Sequence, residues 1–73
     1  MRYQVTAYDK DSDDYDVLFE TPDMDVATSV AEAFAKFVKA DRLLNIERQP
    51  YDWTEIYTVD DDGYCELYKQ FGV

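Results

Sequence analysis

Apolar and polar residues alternate in two short stretches near the start of the chain, residues 2–8 and 15–20, which is the pattern of half-buried β-strands. In each stretch the apolar side chains share one face, namely Tyr3, Val5 and Ala7, then Tyr15, Val17 and Phe19. The polar run between them is typical of a hairpin loop. A hairpin with Val5 opposite Val17 keeps both apolar faces together. It also sets Arg2 opposite Glu20, and opposite charges stabilise cross-strand pairs.

A helical repeat follows this hairpin. Apolar residues recur three or four positions apart, at Val26, Val30, Phe34, Phe37 and Val38. Thr21 and Pro22 predict the start of the helix, because threonine caps helices and proline suits their first turn. We expect the helix to end near Ala40 or Asp41 and to turn its apolar face toward a sheet.

Residues 52–59 and 64–71 predict a second hairpin, with Gly63 at the turn position that needs a left-handed backbone. That turn sets the register, and the apolar cross-strand pairs of one face are Val59–Cys65, Tyr57–Leu67 and Trp53–Phe71. We predict that this face packs on the helix. Ile56 and Tyr68 then fall on the opposite face of the sheet.

The order of elements is strand, strand, helix, strand, strand. This order predicts one α+β domain over residues 1–73, a two-layer sandwich in which a single helix packs on one face of an antiparallel sheet. Residues 43–50 are less defined. They are compatible with a short strand or an ordered loop, and Pro50 interrupts any ladder of hydrogen bonds there.

The chain carries 17 acidic and seven basic residues among 73, and it has no histidine. The formal net charge of −10 makes nucleic acid and anionic membranes poor partners. Three explanations of the charge stay open: a basic protein partner, cations, or adaptation to a salt-rich medium. Disorder is not among them, because 16% of the residues are aromatic and disordered acidic chains are poor in aromatic residues.

Cys65 is the only cysteine, so it excludes a disulfide within the chain and fits a reducing compartment. Its pairing with Val59 predicts that it faces the core as a small buried hydrophobe. No apolar run approaches the roughly 18 residues of a membrane-spanning helix, and no signal-peptide pattern opens the chain. We expect a cytoplasmic protein.

The residue types that support most enzyme chemistry are missing. Without histidine the chain lacks the usual general base and the usual zinc ligand. Gly63 and Gly72 are the only glycines, so there is no glycine loop to bind phosphate. We therefore expect a protein that is not an enzyme and takes no cofactor.

One aspartate run has the spacing of a calcium-binding EF-hand loop, in which Asp9, Asp11, Asp13 and Glu20 occupy ligand positions. Asp14 stands where that loop needs glycine, and the flanking segments are predicted strands instead of helices. We therefore interpret the run as a solvated hairpin loop, with weak binding of a divalent cation as the alternative. The second aspartate run is explained by its hairpin turn.

The aspartates concentrate at the two predicted hairpin tips, and three tyrosines are predicted on the sheet face that the helix leaves open. Carboxylates and tyrosines together are typical of a protein-binding surface. The predicted partner-binding residues are Asp11, Asp13, Asp14, Asp16, Asp60, Asp61, Asp62, Tyr8, Tyr64 and Tyr68. The simpler interpretation is that exposed tyrosine is a good strand former.

In size, acidity, aromatic content and lack of catalytic residues, the chain resembles small phage-encoded inhibitors, among them DNA mimics of the anti-restriction and anti-CRISPR kinds. The resemblance is one of composition over the whole chain, and no motif assigns functional residues. It implies a non-catalytic protein that presents DNA-like negative charge to the basic surface of a nucleic-acid-handling protein. The alternative is a structural or accessory domain of a salt-adapted organism or virus, kept hydrated by its acidity.

Overall fold

A computed structural model describes residues 1–73, and its elements follow the predicted order of two strands, one helix and two strands. The strands and helix are β1 Arg2–Asp9, β2 Asp14–Thr21, α1 Met24–Lys39, β3 Trp53–Val59 and β4 Cys65–Phe71. The four strands form one antiparallel sheet with α1 packed on it. The predicted α+β class is therefore confirmed.

The order of strands across the sheet is β2-β1-β3-β4, so the two hairpins join through the central β1–β3 pair. Because β1 and β3 are antiparallel, the turn of the first hairpin and the turn of the second lie at opposite ends of the sheet. Strands of this length separate the two ends by roughly 25 Å. This placement keeps the two runs of aspartate apart.

The core lies between the helix and the sheet. Its helix side is a stripe of alanine, Ala27, Ala31 and Ala35, and its sheet side is formed by Val5, Ile56 and Phe71. Small side chains let the helix backbone approach the sheet closely, and Thr54 Oγ1 donates a hydrogen bond to the carbonyl of Ala31 at 3.0 Å. The larger apolar residues lie beside this stripe. Val30 and Phe34 are half-buried, whereas Val26 and Phe37 are exposed, contrary to the prediction.

The helix begins two residues later than predicted. Thr21 ends β2, and Asp23 is the N-cap, with its carboxylate accepting from the amides of Asp25 and Val26. Thr21 Oγ1 instead accepts from the amide of Asp23 and so shapes the approach to the helix. The predicted end is confirmed, since α1 ends at Lys39 with Ala40 as its C-cap.

The first hairpin contains a β-bulge that changes its register. Leu18 is the additional residue in β2, so Val5 lies opposite Phe19 and not opposite Val17 as predicted. Beyond the bulge Val17 turns to the sheet face away from the helix. Arg2 and Glu20 do form an ion pair at the other end of the hairpin, although Glu20 lies opposite Gln4 and not opposite Arg2 as predicted.

The predicted faces of the second hairpin are inverted except at Phe71, which pairs with Thr54 instead of Trp53 and is buried beneath the helix as predicted. Val59–Cys65 and Tyr57–Leu67 pair as expected, but they lie on the face away from the helix, while Ile56 is fully buried beneath it. Ile56 pairs with Lys69 because Tyr68 is an additional residue in β4. The physical reason is the polar atom on tyrosine and tryptophan, which favours a partly wet face, whereas isoleucine has none.

Residues 43–50 form a loop closed by a single bridge between Leu44 and Pro50. The Asn45 side-chain oxygen accepts from the amides of Glu47 and Gln49, which fixes the turn from within. Of the two alternatives that the sequence left open, the ordered loop is correct. Helix α1 has neither the length nor the apolar character needed to cross a membrane.

Candidate functional site

Helix α1 covers one side of the sheet, and the other side, here called the open face, carries four aromatic rings. Tyr8 stacks on Trp53 with ring centroids 4.8 Å apart and planes inclined by 28°. Tyr15 stacks on Tyr57 at 5.3 Å and 20°. The second pair joins the edge strand β2 to the central strand β3, so its rings lean toward each other across β1. The result is two stacked aromatic pairs on the side of the sheet that no helix covers.

Two polar side chains are buried under these rings. Thr6 is fully buried and Glu55 is 3% exposed, although both project from the open side of the sheet. The Glu55 carboxylate accepts hydrogen bonds from Trp53 Nε1 at 3.1 Å, Gln70 Nε2 at 2.8 Å and the Tyr57 hydroxyl at 3.4 Å. All three donors are neutral. The open face therefore contains a buried carboxylate that is hydrogen-bonded but has no cation beside it.

Positive charge is nearly absent from the open face. Arg2 is on this side, and its guanidinium is held by Glu20. Lys69 lies on the helix side, with its ammonium 5.1 Å from the ring centroid of Phe71. The other ion pair of the protein joins the terminal amino group to Asp61, also away from the rings. An approaching molecule thus meets aromatic rings and uncompensated carboxylate.

Acidic tips flank the open face at its two ends. The first tip is the β1–β2 turn, residues 9–14, and the second tip is the β3–β4 turn, residues 60–63. Six aspartates near these turns accept hydrogen bonds within the fold: Asp9, Asp13, Asp14, Asp16, Asp52 and Asp60. Asp11 and Asp62 accept none, so their carboxylates are free to meet a partner. The aspartates of the tips therefore divide into those that hold the fold and those that only carry charge.

The second tip confirms the turn that the sequence predicted. Gly63 has φ of 84°, and its amide donates to the carbonyl of Asp60 at 3.0 Å. The Asp60 carboxylate accepts from the amides of Asp62 and Tyr64. This network leaves Asp61 and Asp62 exposed at the end of the hairpin.

Two tyrosines near the first tip are tied to aspartate. The hydroxyl of Tyr8 donates to Asp13, and this hydrogen bond raises the pKa of Tyr8 to about 12. Burial, followed by the hydrogen bond to Asp16, raises the pKa of Tyr51 to about 12. Both phenols stay neutral at ordinary pH and keep donating to their carboxylates. The first of these hydrogen bonds joins the tip to β1, and the second joins the loop before β3 to β2.

A cleft of about 570 Å³ opens at the same end, between the first tip and the loop that precedes β3. Its acidic lining residues are Asp9, Asp11, Asp41, Glu47 and Asp52, and Lys39 is the only basic one. The negative field of this end attracts cationic groups over a distance of about one Debye length.

Of the three tyrosines that were predicted to bind a partner on the open face, only Tyr8 lies there. Tyr64 is 67% exposed beside the second tip. Tyr68 lines a shallow groove with Met1, Tyr3 and Met24, at the start of the helix. The structure therefore does not gather the three tyrosines into one surface.

Sequence reasoning missed the residues that do form the open face, Tyr15, Trp53, Glu55 and Tyr57. Both faces of β3 are apolar enough to form the core. The prediction placed the larger side chains, Trp53 and Tyr57, on the core face. The signal that separates the faces is the Thr54-Ile56-Thr58 alternation, because small or wholly apolar side chains fit beneath an alanine-lined helix. Tryptophan and tyrosine keep their polar atoms on the other side.

Two further expectations need correction or comment. Cys65 is exposed, not buried, because the inverted face of the second hairpin carries it away from the helix. The residues with EF-hand spacing do not converge, since Glu20 is held by Arg2 at the far end of β2. No three acidic or cysteine side chains are grouped closely enough to hold a metal ion.

Comparisons with protein-family models, with curated proteins and with solved structures found no match to this chain.

Proposed function

We propose that this protein is a non-catalytic binding protein that engages a basic protein surface, as a phage-type DNA mimic that inhibits a nucleic-acid-handling protein. The observation that supports the proposal most is the uncovered aromatic face between two acidic tips. The tips supply long-range attraction for a basic surface, and the rings supply contact area once it has docked. Negative charge at both ends of an elongated face also resembles the charge that such a partner meets on DNA.

The distribution of charge favours this proposal over salt adaptation. Helix α1 carries two acidic residues, Asp25 and Glu32, and two basic residues, Lys36 and Lys39, so it contributes no net charge. The whole excess of −10 therefore lies outside the helix. Hydration in concentrated salt would call for acidity over the entire surface, whereas binding calls for acidity around one face.

The test compares two variants that remove the same amount of charge. Asp11→Asn with Asp62→Asn neutralises one free carboxylate at each tip without breaking a hydrogen bond of the fold. Asp25→Asn with Glu32→Gln removes two charges from the helix and serves as the matched control. Proteins captured from a host lysate at low salt are identified, and their association with each variant is measured at several salt concentrations.

We expect the captured proteins to bind nucleic acid and to be displaced by duplex DNA. The tip variant should associate more slowly and depend less on salt, because charges at the rim chiefly steer the encounter. The helix variant should behave like the unmodified protein. Equal effects of both variants, or capture that duplex DNA does not reverse, would contradict the proposal.

If no basic protein binds even at low salt, salt adaptation becomes the better account. It then predicts that the folded state is strongly stabilised by concentrated potassium chloride, which a melting curve with and without the salt measures directly.

A further inference from the structure

The buried carboxylate of the open face has hydrogen-bond donors around it but no cationic partner. Glu55 is 3% exposed and accepts from three neutral donors, and neither ion pair of the protein includes it. Buried carboxylates in proteins are ordinarily paired with a cation. A charge enclosed by aromatic rings is poorly screened by water, so its field reaches the surface above.

The rings above this carboxylate attract cations by themselves. The face of an aromatic ring is the negative end of its quadrupole, and a cation placed over it is held electrostatically. Tyr15 is 42% exposed and stacks on Tyr57, whose hydroxyl donates to Glu55, so an accessible ring surface adjoins the hydrogen-bond network of the buried carboxylate. Val17 and Leu67 are also exposed on this face and offer apolar contact to the stem of a long side chain.

Among cationic groups, the arrangement suits guanidinium better than ammonium. Guanidinium is planar and weakly hydrated, so it stacks flat on a ring and loses little on leaving water. Ammonium is a compact and strongly hydrated charge that gains less from a flat aromatic surface. Two copies of this chain would instead bring like charges together, since each carries −10.

We propose that the open face recognises arginine side chains of the partner, which stack over the Tyr15–Tyr57 pair above Glu55. This inference rests on the proposed function, because it names the chemical group by which a basic partner is selected. Arginine contacts give the bound state its lifetime, while the acidic tips set the rate of encounter. The protein thus distinguishes arginine-rich from lysine-rich surfaces of equal charge.

The experiment uses two peptides that are identical except that every arginine in one is lysine in the other. Their affinities for the full chain are measured by calorimetry at low salt. Trp53 is the only tryptophan and lies within the open face, so its fluorescence reports binding at that face. We expect the arginine peptide to bind about tenfold more tightly and to change the Trp53 emission.

Tyr15→Ser removes the accessible ring, and Tyr64→Ser is the matched control at an exposed tyrosine outside the face. The arginine preference should disappear in the first variant and persist in the second. Glu55→Gln, checked for folding by circular dichroism, should reduce the preference while keeping the rings. Because Tyr15 is exposed, its replacement should leave the fold intact.

The possible outcomes distinguish arginine recognition from the proposed function, which is binding to a basic protein surface. Equal affinity of the two peptides for the unmodified protein would overturn arginine recognition and leave binding to a basic partner standing. An arginine preference that survives Tyr15→Ser would also overturn it. Failure of both peptides to bind at low salt would contradict the proposed function itself.

Discussion

The hydroxyl of Tyr51 donates a hydrogen bond to the carboxylate of Asp16 across 2.6 Å, joining the loop before β3 to the edge strand β2. Tyr51 is buried against Ala7 and Val38, so its hydroxyl has little alternative contact with water. The residues are 35 positions apart in the chain. Asp16, predicted as a partner-binding residue, therefore has a structural role as well.

Tyr51→Phe should lower the free energy of unfolding by about 1–2 kcal/mol, because it removes a hydrogen bond to a charged acceptor. Tyr64→Phe is the control, since Tyr64 is exposed and its hydroxyl has no partner in the fold. Urea denaturation measures both. Combining Tyr51→Phe with Asp16→Asn should cost less than the sum of the single changes, as expected for residues in direct contact. Strict additivity would contradict the contact.

Alkaline pH should destabilise the protein through its hydrogen-bonded tyrosines. The pKa values of Tyr8 and Tyr51 are about 12 in the folded protein, against 10.0 for an unperturbed tyrosine. Burial, with the Glu55 carboxylate next, raises the pKa of Tyr57 as well. Because the folded state favours the neutral phenols, their contribution to stability is complete below about pH 10 and is lost as the pH rises toward 12.

Melting temperatures across this alkaline range check the prediction, together with the ultraviolet absorbance of phenolate. Tyr8, Tyr51 and Tyr57 should ionise at a higher pH than an unperturbed tyrosine, or together with unfolding. In Tyr51→Phe the fall of melting temperature with pH should be shallower. Ionisation of Tyr8, Tyr51 and Tyr57 near pH 10 in the folded protein would show that these contacts are absent in solution.

Gly63→Val should destabilise the protein by about 1 kcal/mol or more, because a β-branched residue resists positive φ. No atom lies within 4 Å of the position that a Cβ would occupy, so the loss would come from the backbone and not from crowding. Gly63→Asn is the control, since asparagine tolerates the left-handed region. If Gly63→Val and Gly63→Asn lower the melting temperature equally, the left-handed backbone assigned to residue 63 is contradicted.

Ala31→Leu should destabilise the protein by about 1–3 kcal/mol, because the close approach of helix and sheet leaves no space for additional methylene groups. Ala31 is fully buried and its carbonyl accepts from Thr54. Ala33→Leu places the same side chain on the exposed side of the helix and should change stability by less than about 0.5 kcal/mol. Similar melting curves for the two variants would argue against the alanine stripe as the contact surface.

The elements of this fold could be predicted from the sequence because each has a strong local signal. Each of these signals spans only a few residues. They are the alternation of apolar and polar residues in β1, the helical repeat after Pro22, and the glycine in the second turn. The faces were harder to predict. The bulge at Leu18 shifts the register of the first hairpin, and the two faces of β3 are both apolar enough to form the core. Neither Leu18 nor Tyr68 carries a local signal of a bulge.

The candidate site was predicted only in part, for a related reason. Clusters of aspartate are visible in the sequence, and their position at the two hairpin turns is correct. The aromatic surface is not visible, since the Tyr15–Tyr57 stack forms between β2 and β3, which are not adjacent in the sheet. A regular hairpin would place Glu55 opposite Lys69, and the bulge at Tyr68 gives it Gln70 as its neighbour instead.

The bulges bear on how copies of this protein behave toward one another. Both lie in edge strands, one in β2 and one in β4. An edge strand can recruit a strand from another molecule only if its free amides and carbonyls form a regular row, and a bulge breaks that row. Both edges of the sheet are therefore protected against pairing with the edge strands of other copies, although one side of the sheet is uncovered.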